Sequence, residues 1–173
     1  MLFFSGFSLR DENYLFSDFI NKSQFSICGF SYGAIKALKY TKEQLALGKR
    51  IDTLQLLSPA FFQMKSEKFK RLQMLSYAKD KDAYMKQFIG GCFYPFDKKQ
   101  LLHVETKREE LSELLSYEWD MKELQSIVNK GVKIEVYLGG KDAIIDVKSA
   151  REFFLQVATV TYIKDANHFL QTN

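Results

Sequence analysis

The chain has 173 residues, of which 46% are hydrophobic and 27% are charged. This length and composition fit one globular domain with a buried core, and they exclude a disordered or low-complexity chain. The net charge of +4 is small and local, which argues against nucleic-acid binding. The longest stretch without a charge, residues 23–35, is too short to span a bilayer. Because the chain also begins without a basic leader, we expect a cytoplasmic protein without a membrane span.

Strands and helices alternate in the first third of the chain. The hydrophobic pattern predicts a strand over residues 2–5, a helix over 11–20, a strand over 25–30, a helix over 32–44 and a strand over 51–57. The second strand contains Cys28, which we interpret as a packed apolar residue because two cysteines do not make a disulfide framework.

Residues 60–119 differ from the rest in being charged, aromatic and mostly helical in pattern, with interruptions predicted at Gly90-Gly91 and Pro95. The segment is too long for a crossover, so we expect an insertion that forms a helical lid over one end of the sheet. After it, the pattern predicts a helix from a capping box at Asp120 to about Lys130, a strand over 132–138, a helix over 146–157 and a strand over 158–163. The alternation predicts a mostly parallel sheet with helices on both faces, in a single domain of residues 1–173.

The motif Gly29-Phe-Ser31-Tyr-Gly33 matches the G-x-S-x-G pattern of a nucleophile elbow. It follows an apolar strand and opens a helix, which is the setting that this sharp turn requires. We therefore predict that Ser31 is a nucleophile, the alternative being a tight turn with an idle serine.

A serine hydroxyl needs a base, and the chain has only two histidines, His103 and His168. His168 follows the last predicted strand and is the preferred base, whereas His103 lies in the insertion, where a surface or partly packed position on a helix is expected. Asp142 follows the strand over 132–138 and gives the chain order Ser, Asp, His. Asp146 and Asp120 compete with it, although both have the position of a helix N-cap.

Two backbone amides must stabilise the oxyanion of an acyl-transfer intermediate. We predict the amide of Tyr32, directly after the nucleophile, and the amide of Phe7 in the loop that follows the first strand. A plain tight turn is the alternative for that loop.

The basic excess is local. Between residues 63 and 86 there are seven basic and three acidic residues, and the rest of the chain is neutral. Such a cluster attracts acidic partners, or it is merely a solvated helix face. Lys65, Lys68 and Arg71 are spaced to share one helix face, and with Lys70 they are our candidates for docking a partner.

Ser5-Gly6-Phe7, Gly-Phe-Ser31-Tyr-Gly, Gly-Lys-Asp142 and Asn-His168-Phe have the order and spacing of an α/β-hydrolase. The short chain that starts at the oxyanion strand resembles the BioV-type esterases, which act on pimeloyl-acyl-carrier-protein methyl ester in biotin biosynthesis. The resemblance implies a compact α/β-hydrolase fold, hydrolysis of that methyl ester to methanol, and an acyl carrier protein as partner. The sequence departs from the superfamily pattern at Ser5-Gly6, where His-Gly is usual. It also departs in the expected absence of two early strands and of a final helix.

No cluster with metal-ligand spacing and no phosphate-binding loop occurs, so we expect neither a metal nor another cofactor. Two alternatives stay open at this point. The first is a general short-chain carboxylesterase or thioesterase with the same three residues, and the second is a catalytically inactive hydrolase-like binding protein.

Overall fold

The computed structural model describes residues 1–173 and contains seven strands, six α-helices and one 3₁₀ helix. In chain order these are β1 (Leu2–Phe4), β2 (Leu9–Arg10), the 3₁₀ helix η1 (Glu12–Phe16), β3 (Ser26–Phe30), α1 (Tyr32–Ala46), β4 (Thr53–Leu57), α2 (Glu67–Lys79), α3 (Lys81–Phe93), β5 (Leu102–His103), α4 (Arg108–Ser116), α5 (Met121–Asn129), β6 (Lys133–Gly139), α6 (Val147–Phe154) and β7 (Thr159–Ile163).

Five strands form one parallel sheet in the order β1-β3-β4-β6-β7, which confirms the predicted parallel sheet. The strands β3 and β4 are buried along their whole length, as expected for the centre of a sheet covered on both faces. Because all five strands run the same way, their carboxyl ends meet at a single edge.

The strand order also determines where the helices lie. Each successive strand is added on the same side of the preceding one, and right-handed crossovers then put α1, α5 and α6 on one face of the sheet. Residues of α1, α5 and α6 accordingly share one core with inward-facing strand residues such as Ile27, Leu54 and Val136.

The opposite face is covered by η1 and by the end of the chain. Phe16 packs there with Cys28, Phe30 and Phe169, and Cys28 is a buried core residue as predicted. The predicted helix over 11–20 is shorter than expected. It is a 3₁₀ helix of five residues because the amides of residues 19 and 20 both turn back to the carbonyl of Phe16.

The insertion contributes α2, α3 and α4, which lie outside the five-stranded sheet. The predicted interruption at Gly90-Gly91 is wrong, since α3 continues through both glycines to Phe93. The helix persists because Ile89, Cys92 and Phe93 are buried in the core that contains Phe16 and Phe169. This packing offsets the low helix propensity of glycine. None of the helices combines the length and the apolar character that crossing a bilayer needs.

A second, two-stranded antiparallel sheet pairs β2 with β5 and was not predicted. It places His103 on a short exposed strand, so the expectation of a helical position for this residue is wrong. Each strand is only two residues long, and such a pairing leaves no periodicity in the sequence.

Candidate active site

Ser31 lies in the sharp turn between β3 and α1. Its backbone has φ 52° and ψ −115°, a conformation that side-chain-bearing residues rarely adopt. The Ser31 amide donates to the Leu57 carbonyl at 2.9 Å, which fixes the turn on the neighbouring strand. A Cβ at Gly29 would overlap the Gly33 carbonyl, and one at Gly33 would overlap the Phe4 carbonyl. Both glycines of the motif are therefore required by close backbone approach.

The turn brings Ser31 into a chain of hydrogen bonds with His168 and Asp142. The Ser31 Oγ lies 3.0 Å from His168 Nε2, and His168 Nδ1 lies 2.6 Å from Asp142 Oδ2. The side chains of His168 and Asp142 are fully buried. Because an ionised carboxylate only accepts hydrogen bonds, Nδ1 carries the imidazole proton and Nε2 is left to accept one from the serine.

The carboxylate of Asp142 is held by the backbone that follows it. Its second oxygen, Oδ1, accepts the amide of Ile144 at 2.8 Å and that of Ile145 at 3.3 Å. Both oxygens are thus engaged, and the one that faces His168 has a fixed direction.

The competing residues lie elsewhere. Asp146 caps α6 by accepting the Ser149 amide, and Asp120 caps α5 by accepting the amides of Lys122 and Glu123. His103 is exposed on β5. Of the candidate acids and bases, only Asp142 and His168 are hydrogen-bonded in line with Ser31.

Asn167 shapes the turn that carries His168, and sequence reasoning missed it. Its side-chain amide donates to the Phe93 carbonyl at 2.8 Å, while its oxygen accepts the amides of Phe169 and Gln171. All three bonds are buried, so this turn is fixed to the insertion and to the chain end. The available signal was asparagine in a short loop, where its side chain commonly bonds nearby backbone.

The two predicted oxyanion donors come from different elements of the fold. Tyr32 is the first residue of α1, and a helix leaves its first amides without an intrahelical acceptor. Phe7 lies in the loop after β1, and its amide donates no hydrogen bond within the protein. A Cβ at Gly6 would lie 2.8 Å from the Phe30 ring, so glycine allows this loop to pass close to β3.

The side chain of Tyr32 links α1 to the insertion. Its hydroxyl donates to Glu113 on α4, and Lys39 pairs with the same carboxylate. Burial, reinforced by the Glu113 carboxylate, raises the pKa of Tyr32 well above its usual range. The hydrogen bond from Lys39 lowers the pKa of Glu113 most, and the bond from Tyr32 lowers it next. The Glu113 carboxylate and its two partners thus tie α4 to α1.

A cavity of about 380 Å³ opens beside this site, between the insertion and the loop after β6. Its wall includes Ala143 and Ile144, next to Asp142, and Phe88, whose ring packs edge-on against Phe7. Most of the lining is apolar, and Lys65 is its one charged residue. Ser31 itself is 3% exposed and does not line the cavity.

The structure separates the four predicted docking residues. Lys65 precedes α2, whose N-cap is Ser66. The expectation that Lys65 shares a helix face with Lys68 and Arg71 is therefore wrong. Lys70 is ion-paired with Glu67 at 2.9 Å. Lys68 and Arg71 are exposed on α2 and make no ion pair, which leaves two of the four as a free basic surface.

No known family model matches this chain, and no curated protein matches it either. Solved structures do match. Carboxylesterase CesB from Bacillus subtilis is 18% identical with a TM-score of 0.58, and a hydrolase from Oleispira antarctica is 13% identical with a TM-score of 0.60. Each match covers 85% of this chain, but only 54% and 59% of the respective structures, so the chain spans little more than half their length.

Est816, described as an N-acyl homoserine lactone degrading enzyme, is similar over more of its length. It is 13% identical with a TM-score of 0.65, and the match covers 99% of this chain and 86% of that structure. At such low identities the likeness concerns the fold alone. The chain has a compact α/β-hydrolase fold.

Proposed function

We propose that this protein is a serine hydrolase of carboxylic esters, with Ser31 as nucleophile, His168 as general base and Asp142 as the residue that orients it. The observation that carries the proposal is the continuous hydrogen-bond chain from Ser31 Oγ through His168 to Asp142. This arrangement, on a strained turn at the carboxyl edge of a parallel sheet, is what acyl transfer through a serine needs.

In the first half-reaction, Ser31 Oγ bonds to the ester carbonyl carbon while its proton passes to His168 Nε2. The carbonyl electron pair moves to oxygen, and the amides of Phe7 and Tyr32 donate to the resulting oxyanion. The intermediate collapses by breaking the bond to the alcohol oxygen, which takes the proton from His168. The alcohol leaves, and the acyl group stays on Ser31.

In the second half-reaction, water attacks the acyl carbon and gives its proton to His168. Collapse of the second intermediate breaks the bond to Ser31 Oγ, which recovers its proton from His168. Asp142 stays ionised throughout and stabilises the imidazolium that forms in each half.

Within this class, we propose pimeloyl-acyl-carrier-protein methyl ester as the substrate and methanol as the first product. The resemblance of the chain's motifs to the BioV-type esterases supports this substrate. The largely apolar cavity beside Phe7 and Asp142 suits an aliphatic acyl chain, with the insertion acting as the lid. We place this reaction in the cytoplasm, as part of biotin biosynthesis.

The acyl carrier protein is the proposed partner, and acidic carriers are suited to a basic surface. Lys68 and Arg71, one turn apart on α2, present two unpaired cations to solvent. Lys65 lies at the cavity wall and Lys70 is partly covered beside Glu67, so these two contribute to the local potential without being equally free.

The test compares purified protein on methyl-pimeloyl carrier protein, on free short-chain methyl esters and on an acyl thioester. We expect kcat/KM to be highest for the carrier-bound ester. One methanol should be released for each carboxylate formed. Equal rates on free esters would make it a general short-chain esterase, and a preference for the thioester would make it a thioesterase. No turnover on any of them would contradict the enzyme proposal.

Carrier docking is tested separately by reversing charge at Lys68 and Arg71. We expect K68E/R71E to raise KM for the carrier-bound ester at low salt and to leave a free ester unaffected, because rim charges act mainly on encounter. The matched control is K49E/K130E, since both lysines are exposed and follow helices α1 and α5 at the opposite edge of the sheet. Equal effects of the two double variants would contradict docking on α2.

A further inference from the structure

Glu12 is a fully buried carboxyl group that the proposed mechanism does not use. It lies on η1, it is 0% exposed, and its Oε1 accepts the Gly6 amide at 2.6 Å. Its other oxygen, Oε2, is inaccessible and has no hydrogen-bond partner. Burial raises the pKa of Glu12, and the bond from Gly6 opposes that rise. A buried glutamate is rare in proteins and needs a reason, because an apolar side chain would fill the same space without this cost.

The bond from Gly6 points to that reason. Gly6 is followed by Phe7, whose amide is free of any partner within the protein. Next in the chain, Ser8 has φ 64° and makes two hydrogen bonds with Val104: its hydroxyl donates to the Val104 carbonyl at 3.1 Å, and its carbonyl accepts the Val104 amide at 3.0 Å. Phe7 therefore lies between two tethered residues: Gly6, held by Glu12, and Ser8, held by Val104 directly after β5.

We propose that Glu12 is a positioning residue that holds the loop of residues 5–8 so that the Phe7 amide faces the oxyanion. The inference rests on the proposed esterase function, and it adds a role for a residue outside the hydrogen-bond chain of Ser31. Glu12 touches neither substrate nor Ser31 and acts only through the Gly6–Phe7 peptide.

The size of the expected effect follows from the donor that Glu12 positions. Loss of a complete oxyanion donor costs about 10²–10³ in kcat. A donor that is displaced but still present loses less, so we expect a 10- to 100-fold fall in kcat. Because the oxyanion forms only in the transition state, KM for a small ester should change little.

The experiment compares three variants at Glu12 with a neighbouring control. Glu12→Asp keeps the carboxyl group but shortens its reach, Glu12→Leu removes the acceptor, and Glu12→Gln keeps an acceptor at the same distance. The control is Asp11→Asn, which removes the adjacent exposed carboxylate and keeps a residue that tolerates the φ of 60° found there. Each is assayed on p-nitrophenyl acetate for kcat and KM, by circular dichroism for folding, and for inhibition by phenylboronic acid, which forms a tetrahedral adduct on the nucleophile.

We expect Glu12→Asp and Glu12→Leu to lose 10- to 100-fold in kcat, with KM within about threefold of wild type. The inhibition constant of the boronic acid should rise by a similar factor, Glu12→Gln should restore most of the lost rate, and Asp11→Asn should match wild type. A merely structural role would lower thermal stability without this split between kcat and KM.

Folded Glu12→Asp with the kcat of wild type would overturn the proposal, as would a loss confined to KM with unchanged boronic acid inhibition. If Glu12→Leu does not fold, the Asp and Gln variants decide. Failure of both to fold would assign Glu12 to stability alone and would also overturn it. A wild-type protein that turns over neither p-nitrophenyl acetate nor any of the substrates named under the proposed function would contradict the esterase function itself, which separates the two failures.

Discussion

The backbone of Gly33, on the first turn of α1, lies directly against the carbonyl group of Phe4 at the end of β1, so closely that a Cβ at Gly33 would overlap that oxygen. The turn that carries Ser31 and the strand β1, which leads into the loop of residues 5–8, are thereby packed backbone to backbone. The distance between Ser31 and the loop of residues 5–8 depends on this contact.

Replacing Gly33 with alanine should therefore destabilise the protein by about 3 kcal/mol, because neither backbone can yield without moving a strand. The matched control is Gly90→Ala in α3, where the new Cβ would meet only the end of Lys98 at 3.6 Å. In that helix interior alanine should stabilise by up to about 1 kcal/mol. Urea unfolding of the two variants measures both effects, and a similar change in the two would contradict the packing at Gly33.

Ser31 should carry measurable backbone strain. Its φ of 52° and ψ of −115° are poorly populated by any residue with a Cβ. Ser31→Ala and Ser31→Gly both remove the hydroxyl and should both abolish turnover. We expect the glycine variant to be more stable than the alanine variant by about 1 kcal/mol, because relief of strain outweighs the entropy that glycine adds to the unfolded chain. Thermal unfolding of the pair decides, and a more stable alanine variant would show that the elbow is unstrained.

Asp142 and Asp146 should respond differently to the same substitution. Asp142→Asn removes the acceptor that fixes the His168 tautomer, and we expect kcat to fall on the order of 10⁴-fold. Asp146→Asn keeps a good N-cap on α6 and touches none of the reacting groups, so its kcat should equal that of wild type. The assignment of Asp142 would be wrong if this order were reversed in steady-state assays on p-nitrophenyl acetate.

Asp146 also predicts a pH dependence of stability. Hydrogen bonds from the Ser149 amide, and next from its hydroxyl, lower the pKa of Asp146. A lowered folded-state pKa stabilises the protein fully above the unfolded-state pKa, near 4, and this contribution is lost as the pH falls through the folded-state pKa. Asp146→Ala should cost about 1 kcal/mol at pH 7 and less at pH 3. In contrast, the difference between Asp146→Asn and Asp146→Ala should not depend on pH, since neither side chain titrates.

The sequence was informative where function depends on local geometry at strand ends. Gly29, Ser31 and Gly33 are contiguous in the chain, so their motif predicts the turn without knowledge of the rest of the fold. Asp142 and His168 each follow a predicted strand, and a parallel sheet brings such positions to one edge. These patterns alone predict that Ser31, Asp142 and His168 act together.

Features that depend on long-range contacts could not be predicted from the sequence. The pairing of β2 with β5 joins residues more than ninety positions apart and involves only two residues on each strand. Glu12 looks like an ordinary surface residue in sequence, because nothing local indicates that Gly6 provides its hydrogen bond. Lys65 has helical spacing to Lys68, but Ser66 caps α2 after it and leaves Lys65 at the cavity wall.

The central claim, that Ser31 is a nucleophile activated by His168, is tested most directly by covalent labelling with a fluorophosphonate probe and intact-protein mass spectrometry. We predict one adduct per wild-type chain, located on the peptide that contains Ser31, with no adduct on Ser31→Ala and labelling slowed at least 10³-fold in His168→Ala. An unlabelled wild-type protein, or an adduct that persists in Ser31→Ala, would contradict the claim.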